Sequence, residues 1–183
     1  MRLYAKHPQV KTLAALLKDK KMRKAAISGF TQSSIAMNFA ATGCKVPLLF
    51  IMRDADEAGY LYQDLKTLSI APLFFPSSYK RAVKFGQKDA AGEVMRAETL
   101  IALAENSQPS TLNPQLIIVT YPAALSELVA SRQTIDNRML TLRKGETTEL
   151  DVLVTKLREL GFVEVDYVYE PGQFAVRGSI VDI

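Results

Sequence analysis

Residues 28–36 read Ser-Gly-Phe-Thr-Gln-Ser-Ser-Ile-Ala, between a short apolar stretch and a helix-forming one. A phosphate-binding loop occupies this strand–loop–helix setting. It needs glycines for close backbone approach, a lysine for the β- and γ-phosphates, and a Ser or Thr for Mg²⁺. Gly29 holds the first glycine place, and Thr31 and Ser33 lie inside the loop. Ser34, however, stands at the second glycine, Ile35 at the lysine and Ala36 at the hydroxyl. A helix N-terminus attracts anions by itself. Without the lysine charge and the metal-binding hydroxyl, tight Mg-nucleotide binding is not expected, and the loop is read as a structural turn with no cofactor.

The tail offers a second chemistry. In Glu170-Pro171-Gly172-Gln173-Phe174-Ala175-Val176-Arg177-Gly178-Ser179-Ile180-Val181-Asp182-Ile183, Pro171-Gly172 is a turn signal. Phe174 and Val176 alternate with Ala175 and Arg177, and Gly178 permits a bulge or a positive φ. An arginine before a glycine in a half-exposed strand is well placed to present its guanidinium to a partner. The plainer alternative is a β-hairpin with a solvent-facing arginine. Residues 75–88 mix three Lys and one Arg with Tyr79 and Phe85. That mixture suits single-stranded nucleic acid, or an ordinary solvated loop anchored by its aromatics. Asp54, Asp56 and Glu57 cluster at a helix start, where they favour the helix dipole. Glu93 is spaced to pair with Arg96 along one helix. No candidate base comes with a nucleophile or an orienting group. The single His7 and single Cys44 argue against a zinc site, and they rule out His-dependent triads that do not use His7.

The chain that must position these groups has 183 residues, which suits one large domain or one domain plus part of a second, and an apolar fraction of 48%, normal for a globular protein. One cysteine excludes an intrachain disulfide framework and fits a reducing cytoplasm. No apolar run approaches the roughly 20 residues that span a bilayer. The formal charge of +4 is uneven. Residues 1–24 hold eight basic side chains and one acidic, so the segment carries +7 and the remainder −3. An arm for nucleic acid or an acidic partner is one reading. A solvated helix face, with Val10, Leu13, Leu16 and Leu17 inward, is the preferred one.

Hydrophobic periodicity predicts helices over 8–19, 33–41, 54–68, 88–105 and 122–129, and strands over 24–28, 46–52, 72–75 and 116–120. The run 46–52, Val-Pro-Leu-Leu-Phe-Ile-Met, reads as a strand buried on both faces. The alternation is that of a parallel sheet covered by helices on both sides. After a boundary near 131–137 the pattern becomes α+β: a strand at 139–143, a helix at 149–160, and extended segments at 163–169, 173–176 and 180–183. The chain stops inside an apolar run, which suggests a piece of a longer protein.

Taken together, these motifs carry a resemblance. The tail PGQFAVRGSIVDI resembles the glycine–aromatic–x–x–Arg-Gly signature shared by UvrB proteins and the transcription-repair coupling factors (Mfd). The altered loop SGFTQSSIA lies where UvrB has an intact Walker A, and coupling factors carry the same domain without the nucleotide site. Segments DEAGYLYQDL, FFPSSYKRAVKFGQKDA and VTYPAAL are similar to the coupling factors as well. The resemblance implies an α/β fold: a RecA-like, P-loop NTPase-type parallel sheet with helices on both faces over 1–133. A smaller, truncated α+β domain that binds UvrA would follow over 134–183. It implies that Arg177 contacts UvrA, with Phe174 and Gly178 in the same motif. It also implies no catalytic residue, metal or cofactor in this stretch; ATP and Mg²⁺ belong to the motor domains of the longer protein. RNA polymerase and DNA would bind there too, in a cytoplasmic DNA-repair translocase with no membrane part. Two rivals are a UvrB-type excision subunit, opposed by Ile35 and Ala36, and a nucleic-acid-binding module.

Overall fold

The computed structural model describes residues 4–79, 90–105 and 116–183. They form two compact units, Met1–Leu128 and Val129–Ile183.

In the larger unit a one-turn 3-10 helix at Tyr4–Lys6 leads into α1, Pro8–Lys18. The lone histidine does structural work here. His7 is the N-cap of α1, its Nδ1 accepting from the Gln9 N–H, with proline at the first helical position. Val10 is buried and Leu13, Leu16 and Leu17 are half-buried, while Lys11 and Lys18 are exposed, so the basic segment is an amphipathic helix with its charges outward. After α2 (Ser34–Thr42) come β1 (Leu48–Ile51), α3 (Ala55–Thr67), β2 (Leu73–Phe75), α4 (Ala90–Glu105), β3 (Ile117–Thr120) and α5 (Pro122–Leu125). Gly43 ends α2 at φ +59°, the left-handed conformation a helix stop requires. Asp54 caps α3, its carboxylate accepting from the Glu57 N–H at 2.9 Å.

All three strands are parallel, in the order β1-β3-β2. β3 is central and every one of its residues is buried, as the run Ile-Ile-Val-Thr requires. The register aligns Phe50, Val119 and Phe74 on one face. There Phe39 of α2 meets Phe50 edge-on at 5.3 Å between ring centroids, and Tyr62 of α3 lies 5.1 Å from Phe74. α4 covers the other face over β2, where the Arg96 guanidinium lies on the ring of Phe75. At β1 that second face is bare: Leu49 and Ile51 are 53% and 54% exposed. The expectation of a strand buried on both faces is therefore corrected, because β1 lies at the edge of the sheet. The strand expected at 24–28 is also absent. Those residues are exposed and irregular; two alanines and a single Ile give little to bury in a sheet.

The smaller unit holds α6 (Arg132–Arg138), α7 (Leu150–Glu159), and strands β4 (Val163–Glu164), β5 (Gln173–Arg177) and β6 (Ile180–Asp182). β5 is central, parallel to β4 and antiparallel to β6. Phe174, Ala175 and Leu157 are its buried apolar residues. Where a boundary segment was expected, residues 132–138 form α6, started by Ser131, whose hydroxyl accepts from the Thr134 N–H. The strand expected at 139–143 does not form; Met139 and Leu142 are 46% and 49% exposed. A strand with no partner is not stable in water. Of the extended segment 163–169 only the first two residues pair.

Candidate functional site

The altered phosphate-loop sequence closes on itself. Gly29 has φ +90° and Gln32, unusually for a non-glycine residue, +46°. The Thr31 N–H donates to the Ser34 hydroxyl at 2.7 Å, and the Ser34 N–H donates back to the Thr31 carbonyl at 3.0 Å. A backbone donor that a phosphate would need is thus spent within the loop. Ser33 is the N-cap of α2 but its side chain caps nothing. Ala36 is fully buried in the core and Ile35 packs against it. Of the two places where a nucleotide site needs a charge and a hydroxyl, Ala36 therefore points into hydrocarbon, and Ile35 sets an uncharged, half-buried side chain against it.

Beside this loop lies a cleft of about 600 Å³, lined by Phe30, Ile35, Met52 and Tyr60 and carrying the carboxylates of Glu57 and Asp64. No lysine or arginine is among its described lining residues. Glu57 is paired with Arg53 at 3.0 Å, whereas Asp64 has no ion-pair partner among the described residues. An apolar cleft edged by negative charge disfavours a phosphate.

Sequence reasoning missed a polar cluster at the C-terminal ends of β2 and β3. Arg96 is not a surface partner along its own helix; it turns inward and is 6% exposed. Its Nη1 donates to the carbonyls of Pro76 at 2.7 Å and Ala124 at 3.0 Å, and lies 3.5 Å from a Glu127 oxygen. Glu127 also accepts from the hydroxyl of Ser77, and from the hydroxyl and N–H of Ser78 at 2.7 and 3.0 Å. The Ser77 N–H donates to the Tyr121 hydroxyl at 2.8 Å. Burial pushes the Glu127 carboxyl up, but these hydrogen bonds and the Arg96 charge outweigh it and hold it below the ordinary value of 4.5. The cluster ties the Pro76-Ser77-Ser78 segment to α5 and to the residues on either side of it, Tyr121 and Glu127. Its members satisfy one another, so it is a brace. The signal in the sequence was the pair Ser77-Ser78 at the end of a parallel strand, where polar groups gather. Of the basic–aromatic loop at 79–88, only Tyr79 is described, and it is 52% exposed; the rest lies outside the described residues. Among the described residues no cluster of His, Cys, Asp or Glu is arranged to hold a metal, and no helix is long and apolar enough to cross a membrane.

In the smaller unit the Pro171-Gly172 turn is closed by Gln173, whose side-chain oxygen accepts from the N–H groups of Tyr169 and Glu170 at 2.9 and 3.1 Å. The Val163 N–H donates to the Gly172 carbonyl and the Val165 N–H to that of Phe174, which zips β4 onto β5. Phe174 is fully buried. Phe174 was expected beside Arg177 among the partner-binding residues, and its ring lies inside its own unit. Gly178 has φ +62°, in the two-residue turn that joins β5 to β6. Arg177, at the end of β5, has a side chain 55% exposed and forms an ion pair with Asp182. Its guanidinium carbon lies 5.5 Å from the centroid of the Tyr167 ring. A cleft beside it is lined by Glu164, Val165, Asp166, Tyr167 and Val176.

Residues 140–183 match the UvrB interaction domain. The tail that presents Arg177 is thus inside the matched segment. Relatives match longer stretches of the chain. The *Bacillus subtilis* transcription-repair-coupling factor is 23% identical over 161 residues, 87% of this chain and 13% of that protein. The *Mycobacterium tuberculosis* coupling factor is 33% identical over 96 residues, 52% of this chain and 8% of the relative. UvrABC system protein B of *Thermodesulfovibrio yellowstonii* is 26% identical over 148 residues, 75% of this chain and 22% of the relative. The chain is thus similar to transcription-repair-coupling factors and to UvrB proteins, the resemblance that the tail motif carries. It spans less than a quarter of the length of each of these relatives.

Proposed function

We propose that this chain is the UvrA-interacting part of a transcription-repair coupling factor, and that it recruits UvrA to RNA polymerase stalled at a DNA lesion. The observation that carries the reading is the exposed guanidinium of Arg177 inside the segment matched to the UvrB interaction domain. Residues 134–183 would dock UvrA through Arg177 and the Gly178 turn, with Phe174 holding the strand from within. Residues 1–133 would be a RecA-like domain that has lost its nucleotide. The parallel sheet with β3 at its centre and the helix that follows the loop support that assignment; the missing strand at 24–28 is a departure from it. Catalysis has no place in this stretch. ATP-driven movement on DNA and the hold on RNA polymerase would belong to other parts of a longer cytoplasmic protein.

The test is a UvrA pull-down with Arg177→Ala. A charge-assisted contact at an interface contributes a few kcal/mol, so capture should fall by at least tenfold. The melting temperature should stay close to that of the wild type, because the side chain is mostly in solvent. Undiminished capture would reject the assigned role. Relatives named UvrABC system protein B keep a second reading open, an excision subunit; Ile35 and Ala36 in the nucleotide loop count against it.

A further inference from the structure

We propose that Asp182 and Tyr167 are positioning residues, which hold the Arg177 guanidinium ready for its partner before the partner arrives. The proposal rests on the reading of Arg177 as the partner contact. The strand register builds the arrangement. Arg177 pairs across the hairpin with Ile180 and Ala175 with Asp182, so all four share one face of the sheet, and Asp182 is the diagonal neighbour of Arg177. The two-residue turn after Arg177, with Gly178 at φ +62°, fixes that register. Asp182 accepts a hydrogen bond from Nη2 of Arg177. Tyr167 lies against the guanidinium at 5.5 Å, within the roughly 6 Å reach of a cation–π contact. Two different contacts therefore restrain one side chain, a carboxylate on its edge and a ring on its face.

What remains free is the useful part. The other guanidinium nitrogens make no hydrogen bond among the described residues, and the side chain is 55% exposed. Ile180, directly opposite, is 61% exposed, and Tyr167 is 59% exposed. The face thus offers open N–H donors in a fixed plane, flanked by an aliphatic and an aromatic surface. It fits a partner segment that brings an acceptor oxygen next to an apolar side chain. An unrestrained arginine loses rotamer freedom when it binds. One already held by Asp182 and Tyr167 has lost most of it in the fold, so the partner meets a preorganised group.

The experiment is a double-mutant cycle of UvrA affinity, with Asp182→Asn and Tyr167→Leu each made alone and with Arg177→Ala. Each single change should weaken binding by roughly 3- to 10-fold, the range for ordering one long side chain. Neither should have any further effect once Arg177 is alanine. Equal losses in both backgrounds would overturn the proposal, as would unchanged or tighter binding by Asp182→Asn, which would make Asp182 a competitor for the guanidinium. If Arg177→Ala itself leaves affinity intact, the underlying reading fails and the proposal with it. A readout that needs no partner is ¹⁵N relaxation of the arginine Nε–H groups. Arg177 should be more ordered than exposed Arg138 in the wild type, and should lose that order in both Asp182→Asn and Tyr167→Leu. An Arg177 as mobile as Arg138 would also overturn the proposal.

Discussion

Glu127 is a carboxylate only 16% exposed, yet it stays charged because Ser77, Ser78 and Arg96 all point donors at it. With its pKa held below the usual 4.5, it contributes stability that is complete above that value and is lost as the pH falls through the lowered one. Thermal melts should show this. Glu127→Gln should be less stable than the wild type at pH 7, by roughly 1–3 kcal/mol for the charged hydrogen bonds removed. The gap should narrow as the pH falls below 4.5 and the wild type protonates; a constant gap would mean that Glu127 is not linked to folding. Phe174 and Arg177 form a second instructive pair, three residues apart on one strand and opposite in role. Phe174→Ala should cost about 3–5 kcal/mol of stability by opening a cavity in a fully buried site. Chemical denaturation of the smaller unit would check it. A loss below about 1 kcal/mol would place the ring outside the core.

At the level of elements, the loop before α2 lacks what a nucleotide site needs. Ala36 does not merely lack a hydroxyl; it is fully buried in the core under α2, while half-buried Ile35 packs on that core from the edge of the cleft. Ala36→Thr would therefore push a larger polar side chain into a closed site and should destabilise the larger unit without creating a nucleotide site. Calorimetric titration with Mg-ATP should show no binding for either protein, and low-micromolar affinity in the wild type would refute the structural reading of the loop. The elements also mark what was legible in the sequence. α1, α3, α4 and α7 follow from amphipathic spacing and caps such as Asp54, and β3 follows from an unbroken apolar run. The segment at 139–143 has apolar positions that a strand could use, but strand formation depends on a neighbouring strand, which local pattern does not record; at 24–28 a single Ile is a weaker signal still. α6 was hidden because its residues Arg-Gln-Thr-Ile-Asp-Asn-Arg carry a single apolar side chain. Arg177 was legible through the motif around it. The inward turn of Arg96 was not, because its partners come from residues 76, 124 and 127, far away along the chain.

For the molecule as a whole, two units with separate cores mean that damage to one need not spread to the other. Substitutions at Phe174 and at Glu127 should act on different unfolding transitions, which is why each is best followed by a probe in its own unit. The edge strand β1 has a further consequence. It pairs only with β3 among the described residues, and its outer face shows Leu49 and Ile51 to solvent. Unpaired strand edges with apolar side chains recruit other chains. Handling should therefore depend on concentration: the isolated chain should scatter light increasingly as it is concentrated, and most strongly near its isoelectric point of about 9.1, where charge repulsion vanishes. Leu49→Lys should suppress that scattering and leave the melting temperature within a degree or two. Scattering unaffected by the lysine would locate the stickiness elsewhere. The strand that closes the sheet on one side should therefore also govern how the chain behaves in concentrated solution.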